Sequence, residues 1–327
     1  MLLQLQVLQV GRDAVLRDLC SVSADSPRVQ PADGEPSILV WGVLPAMTNP
    51  IVNDGLCRHG HMAWLDGDMY VGKSLALYGE WCEPEIEMCS RFLKPNDCVI
   101  EVGSNIGADT VPLSQLVPAG HVYAFEPQSV IYQLLCINLQ MNVCRNVSAL
   151  RIALGNKEDK ASIPPIDYGK AENFGGIVLQ KHGLGEEVDV RTLDSIIQTP
   201  HNPPISLIKA DVEGMELHVL WGAARLIGNH RPAIYVENNL GDMSPHLIRH
   251  MQMIQYRCYW HTVDLHQPDN WRGHTVNEFP GMSSLNMVCL PNGDPRNDLV
   301  KDLIPVYGPR DRSPLGTQLN RGYLPKV

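Results

Sequence analysis

From Asp97 onward, short apolar runs alternate with helical stretches, and this alternation narrows the fold more than any other feature of the chain. Asp97-Cys98-Val99-Ile100-Glu101-Val102 leads into Gly103-Ser104-Asn105-Ile106-Gly107, a helical stretch to about Val117 and a Pro118-Ala119-Gly120 turn. His121-Val122-Tyr123-Ala124-Phe125 ends at Glu126-Pro127, before a helical stretch over about 128–141 and a strand from Asn146 to Ile152. Strands separated by helices of about 10–15 residues make βαβ units, and these make a parallel sheet with helices on both faces. The fold class is therefore α/β.

The alternation pauses over 155–190, where Pro164-Pro165, Gly169 and Asn173-Phe174-Gly175-Gly176 predict an insertion of hairpins or loops. It resumes with a short helix at Thr192–Ile197, a strand at Ile205–Ala210 and Asp211-Val212-Glu213-Gly214. Leu217, Leu220, Ala224 and Ile227 then predict a single helix with one buried stripe. Ala233–Val236 reads as a fifth strand ending at Glu237-Asn238-Asn239, with tail strands near 257–261 and 285–290. Three segments follow: an accessory segment 1–60 of open role, a body over 61–290, and a polar, Pro- and Gly-rich tail over 291–327. Within the first, Leu3, Leu5, Val7, Leu8 and Val10 suit a short strand or a helix, and 23–37 reads as a linker or exposed loop.

Composition limits the partners. With 26 Lys and Arg against 36 Asp and Glu, the net charge is -10, a poor match for phosphate backbones. No window approaches about 18 consecutive apolar residues, so no membrane span is expected. The opening Met1-Leu2-Leu3-Gln4-Leu5-Gln6 lacks the basic start of a secretory signal. Nine cysteines form no C-x-x-C pair, which predicts reduced, buried thiols and a cytoplasmic setting. The sequon Asn146-Val147-Ser148 then carries no information, and the oligomeric state, a homo-oligomer included, stays open.

In an open parallel sheet, ligands lie beyond the carboxyl ends of the strands. Here four such ends carry acids: Glu101, Glu126, Asp211 with Glu213, and Glu237. The first loop is G-x-N-x-G rather than the dinucleotide G-x-G-x-x-G. An acid two residues before its first glycine repels a pyrophosphate and suits a cation. S-adenosylmethionine carries both an ammonium and a sulfonium. Glu101 is placed to face its amino-acid end, directly or through water, and Glu126 to accept both ribose hydroxyls.

These residues resemble the FkbM family of S-adenosylmethionine-dependent methyltransferases over roughly 64–290. Tyr78-Gly79-Glu80-Trp81 with Glu83 and Glu85 is similar to the family's segment before the first strand. Glu101-Val102-Gly103-Ser104-Asn105-Ile106-Gly107 is similar to D-V-G-A-N-I-G, departing at Glu101 and Ser104. Ala124-Phe125-Glu126-Pro127, Asn138-Leu139-Gln140-Met141-Asn142 and Ala153-Leu154-Gly155 match A-F-E-P, N-L-x-x-N and A-L-G. Lys209-Ala210-Asp211-Val212-Glu213-Gly214-Met215-Glu216 resembles K-I-D-V-E-G-x-E, and Arg231-Pro232 with Glu237-Asn238 the segment that follows. The resemblance implies a class I methyltransferase, Rossmann-like fold: a mostly parallel seven-stranded sheet with one antiparallel strand near the edge. It implies O-methylation of a sugar or other natural-product scaffold, and a cofactor site of Glu80, Glu101, Gly103, Asn105, Gly107, Glu126, Pro127, Ala153 and Asp211.

Methyl transfer from sulfonium to oxygen is an in-line displacement, and an alcohol needs a base within hydrogen-bond reach. Asp211, Glu213 and Glu237, with Lys209 beside them, are the catalytic candidates. Three readings stand: Asp211 or Glu213 takes the hydroxyl proton; Asp211, Glu237 and Asn238 hold a divalent metal; or Lys209 and Glu216 pair with the acids and merely hold the loop. Glu80 and Glu83 either close over the cofactor or start a solvated helix, and Asn173–Gly176 either shapes the substrate mouth or forms a plain turn. Cys57-Arg58-His59-Gly60-His61 lacks the partner pair of a metal site. His218, Trp221 and Arg225 read as a packed or solvated helix face. Tyr256, Tyr259, Trp260, His261, His266, Trp271 and His274 suit either a sugar platform or core packing, with His261 a lesser base candidate. The competing classes are an N- or C-methyltransferase on a peptide or lipid-linked substrate, a nicotinamide oxidoreductase, and a silent cofactor-binding module.

Overall fold

The computed structural model describes residues 50–181, 183–197, 204–239, 241–309 and 311, all within the unit Met47–Val327. The readings at Leu3–Val10 and 23–37 lie outside the described residues. The strands are β1 (Val52–Cys57), β2 (Gly60–Leu65), β3 (Cys98–Val102), β4 (His121–Phe125), β5 (Val147–Leu150), β6 (Ala153–Leu154) and β7 (Asp159–Ile163), then β8 (Glu186–Arg191), β9 (Ile205–Ala210), β10 (Ala233–Glu237), β11 (Tyr256–Asp264), β12 (Ser283–Pro291) and β13 (Ile304–Pro305). The helices are α1 (Val71–Leu77), α2 (Glu83–Ser90), α3 (Thr110–Leu116), α4 (Ser129–Met141), α5 (Leu193–Ile196), α6 (Glu216–Trp221), α7 (Ala224–His230) and α8 (Ser244–Met253).

The main sheet runs β13-β11-β12-β10-β9-β3-β4-β5. β5, β4, β3, β9 and β10 pair in parallel, while β12 is antiparallel to both β10 and β11. Seven strands thus follow the expected class I arrangement. The sheet has eight because Ile304 and Pro305, expected in the tail, add β13 to the edge at β11. The chain reverses outward direction at β3, between β4 and β9, which is where such sheets open a crevice.

Burial explains the strand sequences. All five residues of β3 are buried, as a strand covered on both faces requires. One face packs Val99, Val122, Leu207 and Tyr235 under α2 and α3, through Ile86, Met88 and Leu113. The other packs Ile100, Ile208, Ile234 and Met287 under α6 to α8, through Leu217, Leu220, Leu226 and Ile248. The insertion is a second sheet, β6-β8-β7. The β1–β2 hairpin straddles the anticipated boundary at residue 60 and lies on α4. Asn138 fixes it there: fully buried, it accepts from Ala63 N and donates to the carbonyls of Ala63 and Ile106.

The single helix expected over 217–227 is two. Ala224 is exposed, and the chain bends at Gly222, where a Cβ would stand 2.0 Å from the Gly155 carbonyl oxygen. That approach lets the bend pack on the Ala-Leu-Gly segment after β6. The described cysteines are all unpaired thiols.

Candidate functional site

A crevice partly open to solvent lies beyond the carboxyl ends of β3, β4 and β9. Of the candidate residues, Gly103, Glu126, Pro127, Ala153, Asp211 and Glu213 line it. Gly103 has φ +85°, and a Cβ on it would collide with the Asp211 carbonyl oxygen at 1.8 Å. Only glycine lets these two strand ends meet so closely.

Glu126 is the anchor of the crevice. Its Oε2 accepts the Asn105 N–H at 3.1 Å and its Oε1 the Gln128 N–H at 2.8 Å. Each oxygen keeps a second lone pair. Burial pushes the carboxyl up to about 7, against the pull of the two N–H donors. A neighbour that donates hydroxyls would complete this group. The flanking walls are apolar: Ile152, Leu154, Ile177, Leu179 and Met215. Carboxylates at one side, apolar walls and no lysine, arginine or histidine among the lining residues fit a cationic nucleoside such as S-adenosylmethionine and oppose a pyrophosphate.

Other anticipated residues stand elsewhere. Glu101 does not line the crevice. Its Oε2 accepts from Ser104 Oγ at 3.0 Å and Thr110 Oγ1 at 2.6 Å, so it ties the loop to α3. Burial first, then Asp109, pushes it up to about 8. Asn105 contributes its backbone to Glu126, and its Oδ1 accepts the Ile106 N–H. Gly107 packs against Leu135. Glu80 accepts from Arg58 at 2.7 Å and from the Trp271 N–H, closing on the hairpin and the β11–β12 loop. Glu83 takes His59 and Asp54 takes His61, so the two histidines part.

Lys209 is 4% exposed and sits under the loop, not in the crevice. Its Nζ lies 2.8 Å from Asp109 and 3.2 Å from Glu85, which Asn286 also holds. Burial opposes its charge, but Asp109, Glu85 and Asp211 outweigh that and hold the ammonium well above its usual range. Such a pair links α2 and α3 to the sheet. Glu216 turns back on its own loop, accepting from the N–H groups of Val212 and Gly214. The donor set expected for a metal does not assemble. Asn238 Nδ2 lies on Met287 Sδ at 3.3 Å, on the face opposite Glu237. Among the described residues no group of three or more His, Cys, Asp or Glu is set to hold a metal ion.

The acid face runs on from the rim. Parallel register pairs Val236 with Ala210, so Glu237 and Asp211 follow side by side. The two carboxyls are in hydrogen-bond contact, and Glu237 is held well above the usual range by burial first, then by Asp211 and Glu213. Glu213, at φ +53°, is pushed up to about 8 by burial, with Asp211 and Glu216 adding to it. His261 is buried on the Tyr235 hydroxyl at 2.8 Å, and Tyr256, Tyr259 and Trp260 are core, whereas Trp271 of the same group is 41% exposed.

Sequence reasoning missed Gln128, whose side chain holds the Phe174 carbonyl at 2.8 Å and brings the insertion to the crevice. Gly175, Ile177 and Leu179 enter the lining through it. The signal was the Asn173–Gly176 turn, but its target depends on a contact 46 residues away in the chain.

Residues 101–258 match the model of the Methyltransferase FkbM domain. Methyltransferase sdnD of Sordaria araneosa is 27% identical over 165 residues, 40% of this chain and 61% of that protein. Methyltransferase 1 of Beauveria bassiana is 26% identical over 181 residues, 48% of this chain and 72% of that protein. The chain thus spans about three fifths of the length of the first of these relatives. Among solved structures, methyltransferase FkbM from Methylobacillus flagellatus KT superposes with a TM-score of 0.40 and 18% identity, over 60% of this chain and 44% of that one.

Proposed function

We propose that this chain, whose residues 101–258 belong to the methyltransferase FkbM domain family, transfers a methyl group from S-adenosylmethionine to a hydroxyl of a small natural-product or sugar scaffold. One observation carries the reading: Glu126 ends β4 with both oxygens held by backbone N–H groups and a lone pair left on each for a ribose diol. When bound, S-adenosylmethionine supplies an electrophilic methyl group on a cationic sulfur.

The chain's own residues do the rest. Glu126 and the N–H groups of Asn105 and Gln128 set the ribose end. The apolar walls at Ile152, Leu154, Ile177 and Leu179 receive an adenine and keep water out. Asp211, at the rim of the crevice, accepts the acceptor's hydroxyl proton as the oxygen attacks. Its neighbour Glu237 is held well above the usual carboxylate range by burial and by Asp211.

Calorimetry with S-adenosylhomocysteine and with NAD tests this reading. The expected result is binding of the first alone, weakened about 10- to 100-fold by Glu126→Ala, the loss of charged hydrogen bonds to two hydroxyls. Binding of NAD alone, or unchanged affinity in Glu126→Ala, defeats it.

A further inference from the structure

Beyond Asp211 the rim holds an excess of negative charge that the cofactor site does not account for. Three carboxyls meet there from separate positions: Asp211 and Glu213 from the loop after β9, and Glu237 from the end of β10. Glu237 is 4% exposed, and its Oε2 receives no N–H or O–H donor among the described residues. Its carboxyl interacts with another, that of Asp211. Glu213 is held in the left-handed region at φ +53°, a strained conformation for a non-glycine residue, and it lines the crevice. Glu216, by contrast, is satisfied by its own loop.

Among the described residues no ion pair joins Asp211, Glu213 or Glu237 to a cation. Lys209 is held by Asp109 and Glu85, and Arg58 and His59 by Glu80 and Glu83. An anionic acceptor therefore meets like charge that Lys209, already held by two acids, does not cancel, and a buried acid without a donor is costly. What completes the cluster is a cation that donates several hydrogen bonds. A metal ion does not suit it, because Asn238 turns away to Met287.

Resting on the methyltransferase reading above, we propose that the acceptor is an amino alcohol: its hydroxyl faces Asp211 while a protonated amine on the adjoining carbon sits against Glu237 and Glu213. The ammonium donates to the Glu237 oxygen that the fold leaves without a donor. In the empty protein protons take that place, in keeping with the raised Glu213 and Glu237. In the transfer step the O–H bond breaks with its proton going to Asp211, the oxygen–methyl bond forms, and the carbon–sulfur bond breaks with its electron pair going to sulfur. The amine takes no part in that exchange.

A matched series on one ring tests this with the full chain and labelled S-adenosylmethionine: trans-2-aminocyclohexanol, trans-cyclohexane-1,2-diol and trans-2-hydroxycyclohexanecarboxylate. The amino alcohol is expected to exceed the diol in kcat/KM by about tenfold and the acid by about a hundredfold or more, the scale of one and two unit-charge contacts in a partly dry site. Glu237→Gln should raise KM for the amino alcohol about tenfold more than it raises the diol's, a split that a general loss of structure does not give. Equal or better transfer to the diol or the acid, no transfer to any of the three, or equal losses on amine and diol in Glu237→Gln overturns the proposal. S-adenosylhomocysteine affinity, measured on the same protein, separates these outcomes from failure of the methyltransferase reading itself. A methyl group found on nitrogen by NMR keeps the cation preference but overturns transfer to oxygen.

Discussion

Glu101 shows how much a single buried acid shapes this site. Its carboxyl is fixed by two hydroxyls and desolvated, which pushes it up to about 8. The folded chain therefore holds a proton here that the unfolded chain releases near the ordinary carboxylate range. A raised carboxyl favours folding at low pH, and that contribution is lost as pH climbs from about 4.5 to about 8. Glu101→Gln is neutral throughout and still accepts from Ser104 and Thr110. Its melting temperature should stay within a few degrees of the parent's at pH 5 and exceed it by about 5 °C or more at pH 9. Thermal unfolding across that range checks this, and a difference independent of pH disposes of it. The sequence showed an acid before the glycine and suggested that it faced the ligand. What the sequence did not show is that Thr110, nine residues on, and Ser104 hold its carboxyl to the loop and α3. Glu126 was legible because its function depends only on ending a strand and on the N–H groups just beyond it.

At the scale of elements, the strands were readable and one helix was not. Apolar runs such as Cys98–Val102 have few ways to be buried other than as central strands. The stripe at Leu217, Leu220, Ala224 and Ile227 fits one straight helix equally well. What divides α6 from α7 is the approach of Gly222 to Gly155, a contact between segments 67 residues apart in number that no local period contains. Gly222→Ala places a Cβ 2.0 Å from that carbonyl oxygen and should cost about 1–3 kcal/mol. Gly228 is its control. It lies within α7 with nothing within 4 Å of the added carbon, so Gly228→Ala should stabilise by about 0.5–1 kcal/mol through helix propensity. Denaturant unfolding of both variants decides the matter. Loss in Gly228→Ala as large as in Gly222→Ala would mean that the region resists any added carbon, and that the Gly155 contact is not the cause.

At the scale of the molecule, the crevice is where separately built parts meet. β3, β4 and β9 supply its floor, and the inserted stretch carrying Gly175, Ile177 and Leu179 supplies one wall. Gln128 ties that wall to the rim, donating to the Phe174 carbonyl and accepting from the Tyr168 hydroxyl, and the buried Phe174 packs in the core beneath. A ligand in the crevice therefore bridges the insertion to the sheet, and binding energy becomes local stability. At about 100 times its dissociation constant, S-adenosylhomocysteine should stabilise the chain by about 2.7 kcal/mol. Amide exchange should slow most at 126–128, at 211–215 and across 173–179. The far edge at β11 and β13 lies several strands away and should change least. Stabilisation without added protection at 173–179 would place that wall outside the bound site. It would also remove the insertion from any part in choosing the acceptor.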